Sequence, residues 1–184
     1  MNRRELITAL KNYTTPYEHE QKFATSFLQL LQHPDAYQRS HLPGHITGSA
    51  WIIDESRENV LLTHHAKLNR WLQPGGHADG NEDIFEVALR EAVEETGLTS
   101  LRLINPSFFD IDIHVIPARK EFPEHDHYDV RFLFEAKRTD SLVVSEESHD
   151  LAWININNLM TTTGKNDSIL RMAEKVSTLF RSQQ

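Results

Sequence analysis

Three glutamates, Glu91, Glu94 and Glu95, stand at spacings of three and four residues. On a helix those steps nearly complete a turn, so the three share about one third of the circumference. Ile84, Val87, Ala88 and Ala92 are then free to face a core. Like charges so placed repel by a few tenths of a kcal/mol per pair, and a bare helix gains nothing from them. Hard divalent cations do gain, because Mg²⁺ and its relatives take oxygen ligands from a few carboxylates and share them with substrate phosphates. The chemistry predicted here is the holding of divalent cations, together with the phosphates of a substrate.

The elements that must position these residues follow from local pattern. Residues 83–96 carry apolar side chains at helical spacing and end at Gly97, a helix-stop signal. Before them, Pro74-Gly75-Gly76 reads as a turn with unusual backbone freedom, and His77 follows it directly. Glycines there let the loop backbone approach the helix and its ligands, so Gly75, Gly76 and His77 are candidate substrate contacts. Glu82 opens the helix near its favourable dipole end, and Arg90, two turns on, can pair with it.

The segment Gly76, Glu82, Arg90-Glu91-Ala92, Glu94-Glu95, Gly97-Leu98 resembles the Nudix box at every defined position. The resemblance implies an α/β fold, an α/β/α sandwich with a mixed β-sheet, and hydrolysis of a nucleoside diphosphate linked to another group. It implies that Glu91, Glu94 and Glu95 bind Mg²⁺ or Mn²⁺, that Glu82 supports them, and that Arg90 orients them. Some members of the family take the general base from a loop before a late strand. Glu146 and Glu147 precede Leu151-Ala152-Trp153-Ile154, so Glu147 or Glu146 joins Glu94 and Glu95 as a candidate base.

The remainder of the chain supplies the frame. Its 184 residues suit one domain, read as residues 41–184, with an N-terminal helical extension over 1–40. In the extension Thr15, Pro16 and Glu18 form a capping-box pattern. Phe23, Phe27, Leu28, Leu30 and Leu31 make one apolar stripe, which lies either on the main domain or on a second subunit as a homodimer. Ile46–Ile53 and Val60–Thr63 flank a polar turn and predict a hairpin. Phe109–His114 and Tyr128–Ala136 alternate as half-buried strands. A short strand near 151–156 and an amphipathic helix over 168–180 complete the chain.

Arg131 should stand opposite the inward Val130 and Phe132. It is read either as a phosphate or ribose contact or as the partner of Asp129 or another acid. Asp110, Asp112, His114, His125 and His127 share strand faces as well; they are read as a solvated face or polar pocket wall in preference to a second metal cluster.

Composition narrows the function. The formal net charge of −8, with 19 basic against 27 acidic residues and no basic stretch, excludes polymeric nucleic acid as the expected partner. A small nucleotide remains, its charge met by metal ions. No apolar run has the length of a membrane span, and Met1–Glu5 lacks the apolar core of a secretory signal, so a cytoplasmic protein is expected. The absence of cysteine excludes thiolate metal sites and argues against the Nudix-like isopentenyl diphosphate isomerases, which need a catalytic cysteine. The expected substrate is a nucleotide sugar or ADP-ribose. The alternatives are a nucleoside triphosphate pyrophosphohydrolase and, below it, a non-catalytic nucleotide sensor.

Overall fold

A computed structural model describes residues 1–119 and 123–181. The elements run α1 (Arg3–Lys11), α2 (Glu18–Leu30), β1 (Gly44–Asp54), β2 (Asn59–His65), β3 (Arg70–Leu72), β4 (Gly75–His77), α3 (Ile84–Thr96), β5 (Arg102–Leu103), β6 (Asp110–Ile116), β7 (His125–Ala136), β8 (Ser148–Asn155), α4 (Leu159–Thr163) and α5 (Asp167–Arg181). Eight strands are hydrogen-bonded in the order β3-β2-β1-β7-β5, with β4 on β1, β6 on β7 and β8 on β2. A mixed sheet with helices is the expected α/β class, and the N-terminal helices are present. No described helix is long and apolar enough to cross a membrane.

The chain forms two compact units, and β1, α3 and β7 each run through both. The first unit holds Met1–Ser49, Gly75–Glu91 and Asn105–Phe132. Here α1 begins at a capping box, with Asn2 accepting from the Glu5 amide and Glu5 reaching back to the Asn2 amide. The box predicted for the second helix is not formed. Its N-cap is Tyr17, without a side-chain hydrogen bond. Thr15 instead donates its hydroxyl to the buried Glu20 carboxylate, which also accepts from Tyr13 at 3.0 Å. A buried carboxylate left unpaired costs more than a helix end left uncapped, so Glu20 takes the hydroxyl.

The apolar stripe of α2 finds its partners within the unit. Phe27 is fully buried and meets Tyr128 edge-on at 5.2 Å, and Leu31 is buried too. From α1, Leu6 and Leu10 join them.

The prediction of a half-buried β7 needs correction. Asp129 through Phe134 are all buried, because a strand in a layered α/β fold is covered on both faces. Arg131 therefore has no wet side. Its Nε donates to Asp129 at 2.7 Å, Nη1 to Asp110 at 3.1 Å and Nη2 to Asp112 at 3.2 Å. Thr47 and Ser49 of β1 add their hydroxyls to Asp129 at 3.1 and 2.7 Å. Burial alone would lower the pKa of Arg131, but the carboxylates of Asp112, Asp129 and Asp110 more than reverse this and hold it charged. The acidic-partner alternative of the sequence reading is the arrangement found.

The second unit holds Ala50–Pro74, Ala92–Ile104 and the chain from Leu133. Its centre is β2 paired with β8, register Val60↔Ile154, Leu61↔Trp153 and Leu62↔Ala152. The β1–β2 turn is closed by Asp54, whose carboxylate accepts from Ser56, Glu58 and Asn59. Ile169, Met172, Ala173 and Val176 of α5 are buried, as the amphipathic pattern predicts.

Replacing Arg131 with Met would leave three buried carboxylates without their counter-charge. We expect Arg131→Met to lower the unfolding free energy by about 3–5 kcal/mol, read as a fall in the urea midpoint. An unchanged midpoint would mean that the cluster does not support the fold.

Candidate active site

The loop expected before the helix is in fact a strand. Residues Gly75–His77 form β4 and pair antiparallel with β1, register Thr47↔His77, Gly48↔Gly76 and Ser49↔Gly75. Neither Gly75 nor Gly76 has a positive φ, so conformational freedom is not why they are glycine. Space is the reason. A Cβ on Gly76 would lie 2.5 Å from the Glu91 carboxylate, and one on Gly75 would strike the Ser49 side chain. The strand backbone thus lies directly against Glu91.

Arg90 fixes this contact from the helix side. Its Nη2 donates to the His77 carbonyl at 3.0 Å and to Glu91 Oε1 at 2.6 Å. One guanidinium ties α3 to β4 and lies against the Glu91 carboxylate. Glu82 is different. The described partner of this half-exposed side chain is Arg3 of α1, at 2.9 Å, and not Arg90. Arg3 also donates to the carbonyls of His33 and Pro34, so a cation from the extension substitutes for the predicted one. The start of α3 is completed by Asp83, which accepts from the Glu86 amide at 3.2 Å, and by the Met1 carbonyl, which accepts from Ile84 at 3.0 Å.

Glu91, Glu94 and Glu95 all belong to α3, and its repeat sets their common face. Glu91 and Glu95 are half-buried and Glu94 is exposed. The helix ends where predicted, at Gly97 with φ 74°. Glu146 and Glu147 are exposed in the approach to β8, and the Glu147 carbonyl accepts from the Ala66 amide. Arg131, as described, is enclosed by aspartates.

His77 points away from the helix. Side chains alternate along a strand, so Gly76 faces Glu91 and His77 faces the opposite side of β4. There its ring lies 5.2 Å from that of His45 and 4.9 Å from that of His127. His125 stacks on His45 at 5.1 Å, and His114 approaches His127 at 5.5 Å. Burial pushes the His77 imidazole down to about 4 and that of His127 to about 2, and lowers His45 as well; the neighbouring histidines add to each shift. These three rings are neutral at pH 7. Nothing in the sequence singles out His45, and the strand histidines expected on a solvated face or pocket wall belong to this cluster; the one sequence signal for it is the like-facing pair His125 and His127 in β7.

The chain's relatives agree with this frame. A family model described as NUDIX domain matches residues 44–173. A probable DHNTP pyrophosphohydrolase of Lactococcus lactis is 25% identical over 139 residues, 74% of this chain and 81% of that one. The asymmetrical bis(5'-nucleosyl)-tetraphosphatase of Rattus norvegicus is 31% identical over 100 residues, 54% of this chain and 65% of that one. Six further curated relatives match over 17–31% of their own length. Among solved structures, a C. elegans Ap4A hydrolase binary complex has a TM-score of 0.61 at 18% identity, covering 74% of this chain and 98% of that one. The chain belongs to the NUDIX family and is a hydrolase of that family, an enzyme acting on phosphoric anhydrides.

The close contact at Gly76 yields a prediction. Alanine is compatible with the backbone there but displaces the Glu91 carboxylate. A misplacement of about 1 Å can cost 10²-fold in rate, and a loss of about that size is expected for Gly76→Ala in steady-state phosphate release, with thermal unfolding little changed.

Proposed function

We propose that this enzyme hydrolyses an anhydride within the phosphate chain of a small nucleotide-like substrate, using Mg²⁺ or Mn²⁺ held by Glu91, Glu94 and Glu95. The observation that carries the proposal is the Arg90 bridge, which holds Glu91 against the bare backbone of Gly76. The donor set fits the ion. Carboxylate oxygens on one rigid helix suit a hard divalent cation, and the missing Cβ leaves the Glu91 carboxylate its place beside the strand. When bound, such an ion neutralises phosphate charge and lowers the pKa of its water toward neutrality.

The chain's own residues do the rest. Arg90 orients Glu91, and Glu82 steadies the helix start through Arg3. Glu94, Glu95 or the loop glutamate Glu147 accepts the proton of the attacking water. Gly75, Gly76 and His77 bring backbone close to the phosphates. Arg131 is assigned to the strands, since its three nitrogen positions already face carboxylates.

For the substrate, a nucleotide sugar or ADP-ribose was expected on the premise that the N-terminal helices form a homodimer with an enlarged pocket. Leu6, Leu10, Phe27 and Leu31 are buried within one chain, so that of the α2 stripe Phe23, Leu28 and Leu30 are half-buried and could face a second copy. That weakens the premise. The names of the Lactococcus and rat relatives point instead to a pyrophosphohydrolase or a dinucleoside polyphosphate hydrolase, and they support the triphosphate-type alternative.

Release of phosphate or pyrophosphate from triphosphates, dinucleoside tetraphosphates, ADP-ribose and nucleotide sugars, each with Mg²⁺ or Mn²⁺, will rank these classes. Glu94→Gln and Glu95→Gln are each expected to lower kcat by about 10²-fold or more, as loss of a proton acceptor or ligand does, while stability moves by no more than about 0.5 kcal/mol. Full turnover in either variant removes that residue from the site. Loss of the acidic-side limb of the kcat–pH profile in Glu147→Gln would identify the loop glutamate as the base, since a base is inactive once protonated; an unaltered profile would leave the role to α3.

A further inference from the structure

We propose that His45, His77 and His127 form a second metal site, for a nitrogen-preferring divalent ion of the Zn²⁺ or Co²⁺ class, separate from the glutamates of α3. The three residues come from neighbouring strands β1, β4 and β7. Each offers a ring nitrogen, and these atoms all lie within 4.8 Å of one another.

The geometry is close to a preformed triad. Ring centroids are 5.2 Å apart for His45 and His77, 5.0 Å for His45 and His127, and 4.9 Å for His77 and His127. Three imidazoles bound tetrahedrally with metal–nitrogen bonds of about 2.0–2.1 Å place their centroids about 5.2 Å apart. The ring centroids thus stand near the separation that one ion would impose, and the ligand nitrogens, within 4.8 Å of one another, would draw closer on binding it.

The hydrogen bonding agrees. His45 is only 1% exposed, and its Nε2 has no hydrogen-bond partner; the buried Nε2 of His127 has none either. Buried polar atoms without partners are uncommon and costly. The other nitrogen of His45, Nδ1, lies 3.4 Å from the His41 carbonyl. Donation there places the proton on Nδ1 and leaves the Nε2 lone pair free, the way a metal-binding histidine is commonly oriented. His125, whose Nδ1 donates to the Pro123 carbonyl at 2.8 Å, stacks on His45 and holds it in place. Burial keeps the imidazoles neutral, so lone pairs and not positive charges line the cluster.

Imidazole ligands discriminate against Mg²⁺ and favour Zn²⁺, Co²⁺ and similar ions. Three histidines also leave a coordination position for water or an oxygen of a ligand. The inference is independent of which nucleotide the enzyme cleaves.

The test uses tag-free, full-length protein stripped with chelator and titrated with Co²⁺ in excess Mg²⁺. The expected result is one equivalent bound with the intense visible bands of tetrahedral Co²⁺, displaced by Zn²⁺. The bands should be lost in His77→Gln and in His127→Gln and kept in Glu91→Gln, with circular dichroism confirming that each variant is folded. Absence of the bands in the parent protein would overturn the site, as would bands that survive in both folded histidine variants or vanish in Glu91→Gln alone.

Discussion

The structure around the site depends on how closely β4 can approach both of its neighbours. Three residues long, this strand has almost no side-chain surface with which to hold its place. Its position comes from main-chain pairing with β1 and from the Arg90 guanidinium on the His77 carbonyl. Both require the glycines, since a side chain at Gly76 would meet Glu91. Small residues here are a condition for bringing a backbone within reach of a carboxylate. Once that approach is made, the pleat fixes the rest: Gly76 looks to the helix and His77 to the histidines.

The polar face of the first unit shows what such an arrangement costs and how the cost is met. A buried guanidinium, three aspartates, two hydroxyls and several histidines occupy a region where an apolar core would be simpler. Replacing buried ion pairs by hydrophobic residues is often neutral or stabilising, so the cluster is not explained by stability alone. It does fix register. Arg131 meets Asp110 directly across β6–β7 and reaches Asp112, while Asp129 accepts from β1. A one-residue slip would break every one of these pairs. Register in turn decides which residues of β7 face the histidines.

Elements whose evidence is local were legible in the sequence. The α3 helix shows its apolar period and its glycine stop, the β1–β2 hairpin shows two β-rich runs around a polar turn, and α5 shows a clean amphipathic stripe. Other features are set by distant partners. Strand β4 carries no alternation that could announce it. Arg131 was placed on an open face because period two reveals alternation but not what covers each face. Thr15 has the chemistry of an N-cap, yet Glu20, buried and in need of donors, takes its hydroxyl. The box itself was legible because its spacing is fixed within one helix and the strand before it. Glu82 kept its place in that spacing and lost its predicted partner to Arg3, a residue far away in the chain.

The histidines illustrate the same limit from the other side. His45, His77 and His127 are separated by tens of residues and stand on three strands, so no short motif joins them; only the pairing of β4 with β1, and of β1 with β7, brings them together. That pairing also sets the two proposed ligand sites on opposite sides of β4, where they would not compete. On one side of β4 the donors are oxygens on a helix, suited to a hard cation and to phosphate. On the other side they are neutral nitrogens in a buried, well-anchored group, suited to a borderline metal. A single strand with alternating side chains separates the two, and Arg90, bonded to Glu91 and to the carbonyl of His77, is mechanically coupled to both. A change in the position of β4 on the histidine side would therefore be transmitted through that carbonyl to the carboxylate on the other.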